Sequence, residues 1–381
     1  MKMNNNIGIY IHLPFCVKKC NYCDFLSSPA DNAVKELYLR ALQGQIASFY
    51  EEEYNRTHPV TSIYFGGGTP SLVSPEWIKK LIDTVRKYFN VEPDAEISME
   101  MNPGTADEEK LNGYIEAGVN RLSIGLQSSD DEILSALGRI HTCADFLDIY
   151  RRARRVGFTN INVDVMSGLP DQTLEGYEET LDLVCALGPE HISAYSLIIE
   201  PGTPFEKMKL NLPDEDTERE MYHLTRRKLA ASGFERYEIS NYAKEGFKCR
   251  HNLLYWSGND YLGFGIGAAS YDRGVRYSVI KDRDKYMNLA FKDKWGDLLE
   301  NIEHLTDDDR KTEYCILGLR RTEGISLAGF AGRFGQRLTS VYRTPIDKYT
   351  SMGLLELTGD RLRLTEAGID VSNVILADFM L

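Results

Sequence analysis

Ile7-Gly8-Ile9-Tyr10-Ile11-His12-Leu13-Pro14-Phe15-Cys16-Val17-Lys18-Lys19-Cys20-Asn21-Tyr22-Cys23 is the stretch on which the reading of this chain turns. Its first part, residues 7–13, is a β-rich run that ends at a proline. Its second part brings three cysteines together in the spacing C-x3-C-x2-C. A loop of that length can fold three sulfurs around one small inorganic centre, and thiolates select zinc or an iron–sulfur cluster. Structural zinc takes four closed ligands. No second C-x2-C pair occurs in the chain, and His12, which could be a fourth ligand, is held by the strand run four residues ahead of Cys16. Three thiolates on a [4Fe-4S] cubane leave one iron open to another ligand. A zinc-bound scaffold without catalytic activity remains the alternative on the residues alone.

Outward from this stretch the chain alternates. Short β-rich runs at 7–13, 61–65, 96–101, 121–125, 160–165 and 191–199 are interleaved with helix-length amphipathic stretches at 32–53, 75–89, 107–117, 130–156 (broken near Gly138) and 174–187. Six strand–helix units imply a parallel sheet, because each parallel crossover needs a helix. They suit an α/β architecture, an incomplete (β/α)6 barrel, better than a closed eight-fold one, with the chemistry at the C-terminal strand ends. Those ends read Gly66-Gly67-Gly68-Thr69-Pro70, Glu100-Met101-Asn102-Pro103, Gly125-Leu126-Gln127, and Asp164 followed by Gly168-Leu169-Pro170. A glycine run alone is equally a plain turn, and Glu100 alone is equally an N-cap or an exposed acid.

Beyond about residue 205 the alternation stops. Residues 217–232 read as a helix, and 235–280 as short strands and turns rich in Tyr and Gly. Residues 306–376 read as a small appended domain: helices at 307–319 and near 337–351, then a hairpin of 354–357 and 361–364 turning at Gly359-Asp360. Helices followed by a two-stranded wing make a winged-helix-like α+β module, which need not bind DNA. The expected division is 1–205 for the partial barrel, 206–300 for a connecting region and 301–381 for the C-terminal module.

Hydrophobic residues make up 43% and charged residues 27% of the 381, ordinary for a globular protein with a sizeable core. The net charge of −13 argues against a nucleic-acid or anionic-membrane surface, and the run Arg151, Arg152, Arg154, Arg155 reads as a solvated helix face. The opening residues 1–6 are polar, and the apolar run after them is too short for a signal h-region or a membrane span. A cytoplasmic protein is therefore expected, with its seven cysteines reduced. Cys143, Cys185, Cys249 and Cys315 then read as buried bystanders.

The C-x3-C-x2-C spacing, with aromatic Tyr22 before its last cysteine and directly after a first strand, resembles the signature of the radical S-adenosylmethionine proteins. The resemblance implies a [4Fe-4S] cluster on Cys16, Cys20 and Cys23. It also implies that the open iron holds the amino and carboxylate groups of S-adenosylmethionine, whose sulfonium one electron can cleave to a 5′-deoxyadenosyl radical. Gly67, Gly68 and Thr69 match the motif that holds the methionyl ammonium. Glu100 would take a ribose hydroxyl or an ammonium, and Gln127, Arg139 and Asp164 stand where related proteins place further cofactor contacts. Tyr10 and Tyr22 match positions near the cluster and adenine.

Over nearly the whole chain, Ile11–Cys16, Gly66–Pro70, Gly168-Leu169-Pro170 with Gln172-Thr173, and the C-terminal module resemble the oxygen-independent coproporphyrinogen III oxidase group. The oxidases carry a further cysteine two residues past the third, where this chain has Phe25, so that activity is not expected. His251-Asn252-Leu253-Leu254-Tyr255-Trp256 is similar instead to the signature of the HemW branch, the haem chaperones. That implies haem near His251 and Trp256, with Cys249 as an alternative ligand and Arg250 free to pair a propionate. Without the resemblance, His251 reads as a structural histidine and Trp256 as core. The implied partners are haem, an apo-haem-protein acceptor, an electron donor such as a flavodoxin or ferredoxin, and a second copy of the chain in a homodimer. No catalytic acid–base pair is evident, and whether S-adenosylmethionine is cleaved or only bound stays open.

Overall fold

A computed structural model describes residues 5–381. Six strands, β1 (Ile7–Leu13), β2 (Val60–Gly67), β3 (Val91–Met101), β4 (Arg121–Gln127), β5 (Ile161–Ser167) and β6 (His191–Ser196), pair in chain order and all in parallel. Helices Asn32–Ser48, Pro75–Tyr88, Glu108–Ala117, Cys143–Val156 and Leu174–Leu187 link them. The first helical stretch ends earlier than its periodicity suggests. Phe49 turns inward to stack on Phe89, 6.0 Å between ring centroids, and a separate short helix Glu52–Thr57 follows.

Strand alternation decides what faces where. Ile7, Ile9, Ile11 and Leu13 of β1, with Ile63 and Phe65 of β2, Ile97 and Met99 of β3, and Leu122 and Ile124 of β4, join one continuous core under the helices. The intervening residues face a lumen and are small or polar: Gly8, Tyr10 and His12, then Ser62, Tyr64 and Gly66, then Glu96, Ser98 and Glu100. A parallel sheet covered on both faces carries apolar residues on both. Here the inner face is polar because it lines a site.

Residues 206–304, most of them in the region 206–300 expected to act as a connector, supply both edges of this sheet. β7 (Glu235–Arg236) and β8 (Asn241–Ala243) add antiparallel beside β6. β9 (Tyr261–Phe264) pairs parallel with β1, and β10 (Ala269–Asp272), β11 (Val275–Val279) and β12 (Leu299–His304) continue antiparallel outward. The result is one open sheet of twelve strands, β12-β11-β10-β9-β1-β2-β3-β4-β5-β6-β8-β7.

The segment predicted to hold only strands and turns also contains a helix, Arg250–Trp256, which closes the lumen from below. Buried Glu96 holds it there, accepting hydrogen bonds from the backbone N–H groups of Arg250 (3.0 Å) and His251 (3.3 Å) and from the Cys249 thiol (3.4 Å). A carboxylate at this helix start satisfies donors that have no partner inside the helix.

The C-terminal module has its own core, built around Leu319, Phe330, Leu338, Tyr342 and Leu362. Its wing is three-stranded, since Ile325–Ser326 pairs with the hairpin of Leu355–Thr358 and Arg361–Leu364. Arg321 and Arg333 tie it to the barrel, donating to Ser257 Oγ (3.0 Å) and to the Gly258 carbonyl (2.7 Å). Among the described residues no helix is long and apolar enough to cross a membrane.

Replacing Glu96 removes the acceptor of the Arg250 and His251 amides and takes one counter-charge away from buried Arg121. Glu96→Ala is expected to lower unfolding stability by ~2–4 kcal/mol, read from the urea midpoint, and Glu96→Gln by less. An Ala variant as stable as the parent would remove this carboxylate as the anchor of the lumen floor.

Candidate functional site

The three cysteines follow directly from β1. Past the strand ends the β1–β2 ladder continues through loops: Gly68 N donates to the Leu13 carbonyl (3.0 Å) and Thr69 N to the Phe15 carbonyl (2.7 Å). The cysteine loop is further pinned by Asn21, whose N–H donates to the Leu137 carbonyl (2.9 Å) and whose carbonyl accepts from Phe205 N (3.0 Å). Cys16, Cys20 and Cys23 are free thiols that line one cavity of about 490 Å³ at the C-terminal strand ends. Thr69 Oγ1 donates to Cys16 Sγ (3.6 Å), and Arg139 Nη1 to Cys20 Sγ (3.9 Å). Burial, opposed by the Phe25 amide and reinforced by the neighbouring thiols, pushes the Cys23 thiol up to about 11. A metal must therefore displace that proton on binding.

His12 is not a fourth ligand in waiting. Its Nε2 bonds the Leu26 carbonyl (2.8 Å) and its Nδ1 the Tyr10 hydroxyl (3.1 Å), and burial lowers its pKa, so a neutral ring braces the glycine turn against the cysteine loop.

Glycines shape the cavity wall. A Cβ on Gly68 would lie 2.6 Å from the Phe15 carbonyl oxygen, and one on Gly125 would lie 2.7 Å from Gln127 Nε2. Gly67 has φ +113°, which only glycine adopts without strain. Its N–H donates to Glu100 Oε2 (3.1 Å), and Tyr64 donates to Oε1 (3.0 Å). Burial, then the charge of Asp164, raises Glu100 to about 7. Asp164 is raised as well, by burial, although Asn162 (2.7 Å) and Ser123 (3.2 Å) donate to it. Two enclosed carboxylates that repel one another make a wall that favours a cation or hydroxyl donors.

Opposite them, Arg139 donates to the Gly125 carbonyl (2.9 Å) and to Asn102 Oδ1. Gln127 ends β4 in the left-handed region, φ +73°, with its Oε1 accepting from Tyr195 (3.2 Å). Strained polar residues of this kind gather at ligand sites.

Cys16, Cys20, Cys23, Tyr22, Gly67, Gly68, Thr69, Glu100, Gln127, Arg139 and Asp164 thus share one cavity. Tyr64, Asn102, Ser123, Asn162 and Tyr195 join them, none singled out from the sequence as a site residue. The inward alternation of β2, β4 and β5 carried a signal for three of these.

Tyr10 corrects its expectation. It does not line this cavity: two residues before His12 on the same face, its ring lies deeper in the lumen and against Tyr64, 6.3 Å between centroids. His251 corrects its expectation as a haem ligand, and it shares no surface with Trp256. His251 is 1% exposed, with Nδ1 on Ser62 Oγ (2.8 Å) and Nε2 on the Tyr255 hydroxyl (2.8 Å). Burial and Arg121 hold it down to about 3, so it stays neutral. Trp256 faces the other way, under the Arg320 guanidinium at 4.8 Å. Cys249 is fully buried, pushed up to about 12 by burial, and Arg250 pairs with Asp94 (3.0 Å).

The donor set fits a three-cysteine cluster with a cationic ligand beside it: three thiols on one loop, a side-chain-free cradle, and buried acids next to it. The cavity volume suits a small-molecule cofactor.

The chain matches the model of the radical SAM superfamily over residues 10–184 and that of the HemN C-terminal domain over 305–371. In fold it is similar to coproporphyrinogen III oxidase (HemN) from Escherichia coli, with TM-score 0.84 and 23% identity over 98% of this chain and 90% of that one. It is 36% identical to heme chaperone HemW of Bacillus subtilis, over 97% of this chain and 98% of that protein. To heme chaperone HemW of Haemophilus influenzae it is 35% identical, over 98% of each. Matched end to end with such relatives, and carrying both domain types in order, the chain belongs to the HemW family of the radical SAM superfamily.

Proposed function

We propose that this protein is a haem chaperone: it binds haem and passes it to an apo-haem-protein. In this reading it carries a [4Fe-4S] cluster on Cys16, Cys20 and Cys23, with S-adenosylmethionine beside the cluster. The observation that carries the reading is the end-to-end likeness to proteins named as heme chaperones. Phe25 supports it over the oxidase reading. It stands at the cavity rim, 61% exposed, where the oxidases hold a further cysteine, and a phenyl ring can neither ligate iron nor move a proton.

Each site residue then has a task. Gly67, Gly68 and Thr69 offer backbone groups to the methionyl ammonium. Glu100 and Asp164 take positive charge and ribose hydroxyls. Tyr22 and Gln127 border the nucleoside, and Arg139 balances thiolate charge at Cys20. Cluster and cofactor together supply one-electron radical chemistry when reduced, for which a flavodoxin or ferredoxin would be the donor. The cytoplasm is the matching compartment. The deciding experiment titrates oxygen-free, cluster-loaded protein with haem and follows transfer to an apo-cytochrome. A saturable Soret band and haem transfer are expected, without decarboxylation of coproporphyrinogen III. Formation of protoporphyrinogen would reverse the reading in favour of the oxidase.

Loss of one thiolate leaves the cluster with two ligands. Cys20→Ser is expected to hold less than about a tenth of the parent's iron and sulfide by elemental analysis after reconstitution. Full retention of both would count against the assignment.

Glu100 gives the cofactor site a pH dependence. Its carboxyl is raised to about 7, so it is largely protonated at pH 6 and ionised at pH 8. A cation prefers the ionised form, so S-adenosylmethionine affinity should rise roughly tenfold between those pH values. Calorimetric titration of Glu100→Gln should show weaker binding and a flatter profile. An unchanged slope would exclude Glu100 as the group responsible.

A further inference from the structure

A second opening lies where the barrel meets the C-terminal module. It is a groove of about 560 Å³, walled by Tyr10, Tyr255, Trp256, Tyr261, Ile316 and Leu317. Its walls are mostly aromatic and aliphatic, and it opens along one side, in contrast with the polar cavity at the cysteines. Trp256 Nε1 is buried there without a hydrogen-bond partner.

One end of the groove runs into a smaller polar cavity that shares Tyr255, Tyr261, Arg276, Glu313 and Leu317 and adds Arg310 and Arg333. In a chain with net charge −13, three guanidiniums meet around one small opening. Arg276 pairs with Glu313 and Arg310 with Asp307. Arg333 makes no ion pair among the described residues. Its Nη2 donates to the Gly258 carbonyl (2.7 Å), and its guanidinium lies 5.5 Å from the Tyr314 ring. Flat apolar walls leading to an arginine-rich end match a planar macrocycle with carboxylates along one edge. The volume falls in the range of small-molecule sites, and an open side suits a ligand that must leave again.

We infer that haem docks in this groove, its ring against Tyr255, Trp256, Ile316 and Leu317 and its propionates toward Arg276 and Arg333. This rests on the chaperone reading above and adds the place of binding, away from both the cysteine cavity and the buried His251.

The test uses the full chain with its cluster reconstituted, titrated with ferric haem and with haem dimethyl ester. Ile316→Glu puts a charge on the apolar wall and is expected to weaken both ligands at least ~10-fold. Arg276→Gln with Arg333→Gln should weaken haem ~10-fold or more and leave the dimethyl ester unchanged. Iron content and S-adenosylmethionine binding should match the parent in both variants, which reports an intact fold. Parent-like haem affinity in both variants would overturn the groove while leaving the chaperone reading in place. Absence of saturable haem binding by the parent protein would overturn the chaperone reading, and the groove with it.

Discussion

Two backbone hydrogen bonds, from Gly68 N to the Leu13 carbonyl and from Thr69 N to the Phe15 carbonyl, carry the β1–β2 ladder beyond the last paired side chains. They lock the start of the cysteine loop against the glycine turn, so that three sulfurs and a bare stretch of backbone occupy one side of the same cavity. The lock needs the side-chain-free residue, because a Cβ at Gly68 would press on the very carbonyl that Thr69 uses. The loop's middle does not need it, and Val17 is 55% exposed. Placement of the three cysteines is therefore a property of strand pairing, and side chains such as Thr69 and Arg139 only trim it.

Strand pairing also explains how a deep polar lumen survives in a parallel sheet. Helices cover only the outer face, and the inner face is stopped from below by the helix Arg250–Trp256. That helix is held by Glu96 and by stacking of His251 on Tyr64, 5.1 Å between centroids. Without a floor the inward row would open to water from both ends, and the Glu100–Asp164 pair would lose the burial that raises both acids. The electrostatics of the upper cavity thus depend on packing in the lower one.

Much of this was legible in the sequence, for physical reasons. Six β-rich runs with helix-length gaps fix parallel pairing, and all six strands and the helices between them are present. The cysteine spacing and polar strand ends pointed to one site because parallel strands deliver their C-terminal ends to one side of the sheet. What was not legible depended on long-range pairing. Nothing local says that Tyr261–Phe264 returns to flank β1, more than two hundred residues away. The family resemblance assigns Tyr10 to the cofactor by its match to a position near the adenine, whereas its ring, deeper in the lumen, lines the lower groove. Tyr195 gave too little signal because β6 ends in exposed residues with no apolar alternation to anchor its register.

The six-residue motif at 251–256 shows most plainly how spacing can mislead. Read as a string, a histidine and a tryptophan five residues apart look like one ligand surface. On a helix, five residues turn the chain by about 500°, so the two side chains leave on different faces, whereas the pair four apart lies on one face. His251 and Tyr255 are that pair, and they bond to each other (2.8 Å). Asn252 lines the cysteine cavity, and Tyr255 and Trp256 line the groove beneath. The motif is therefore a partition with a different cavity on each side. Its histidine belongs to the joint between partition and sheet, and removing that ring would loosen both walls without deleting a ligand contact from either.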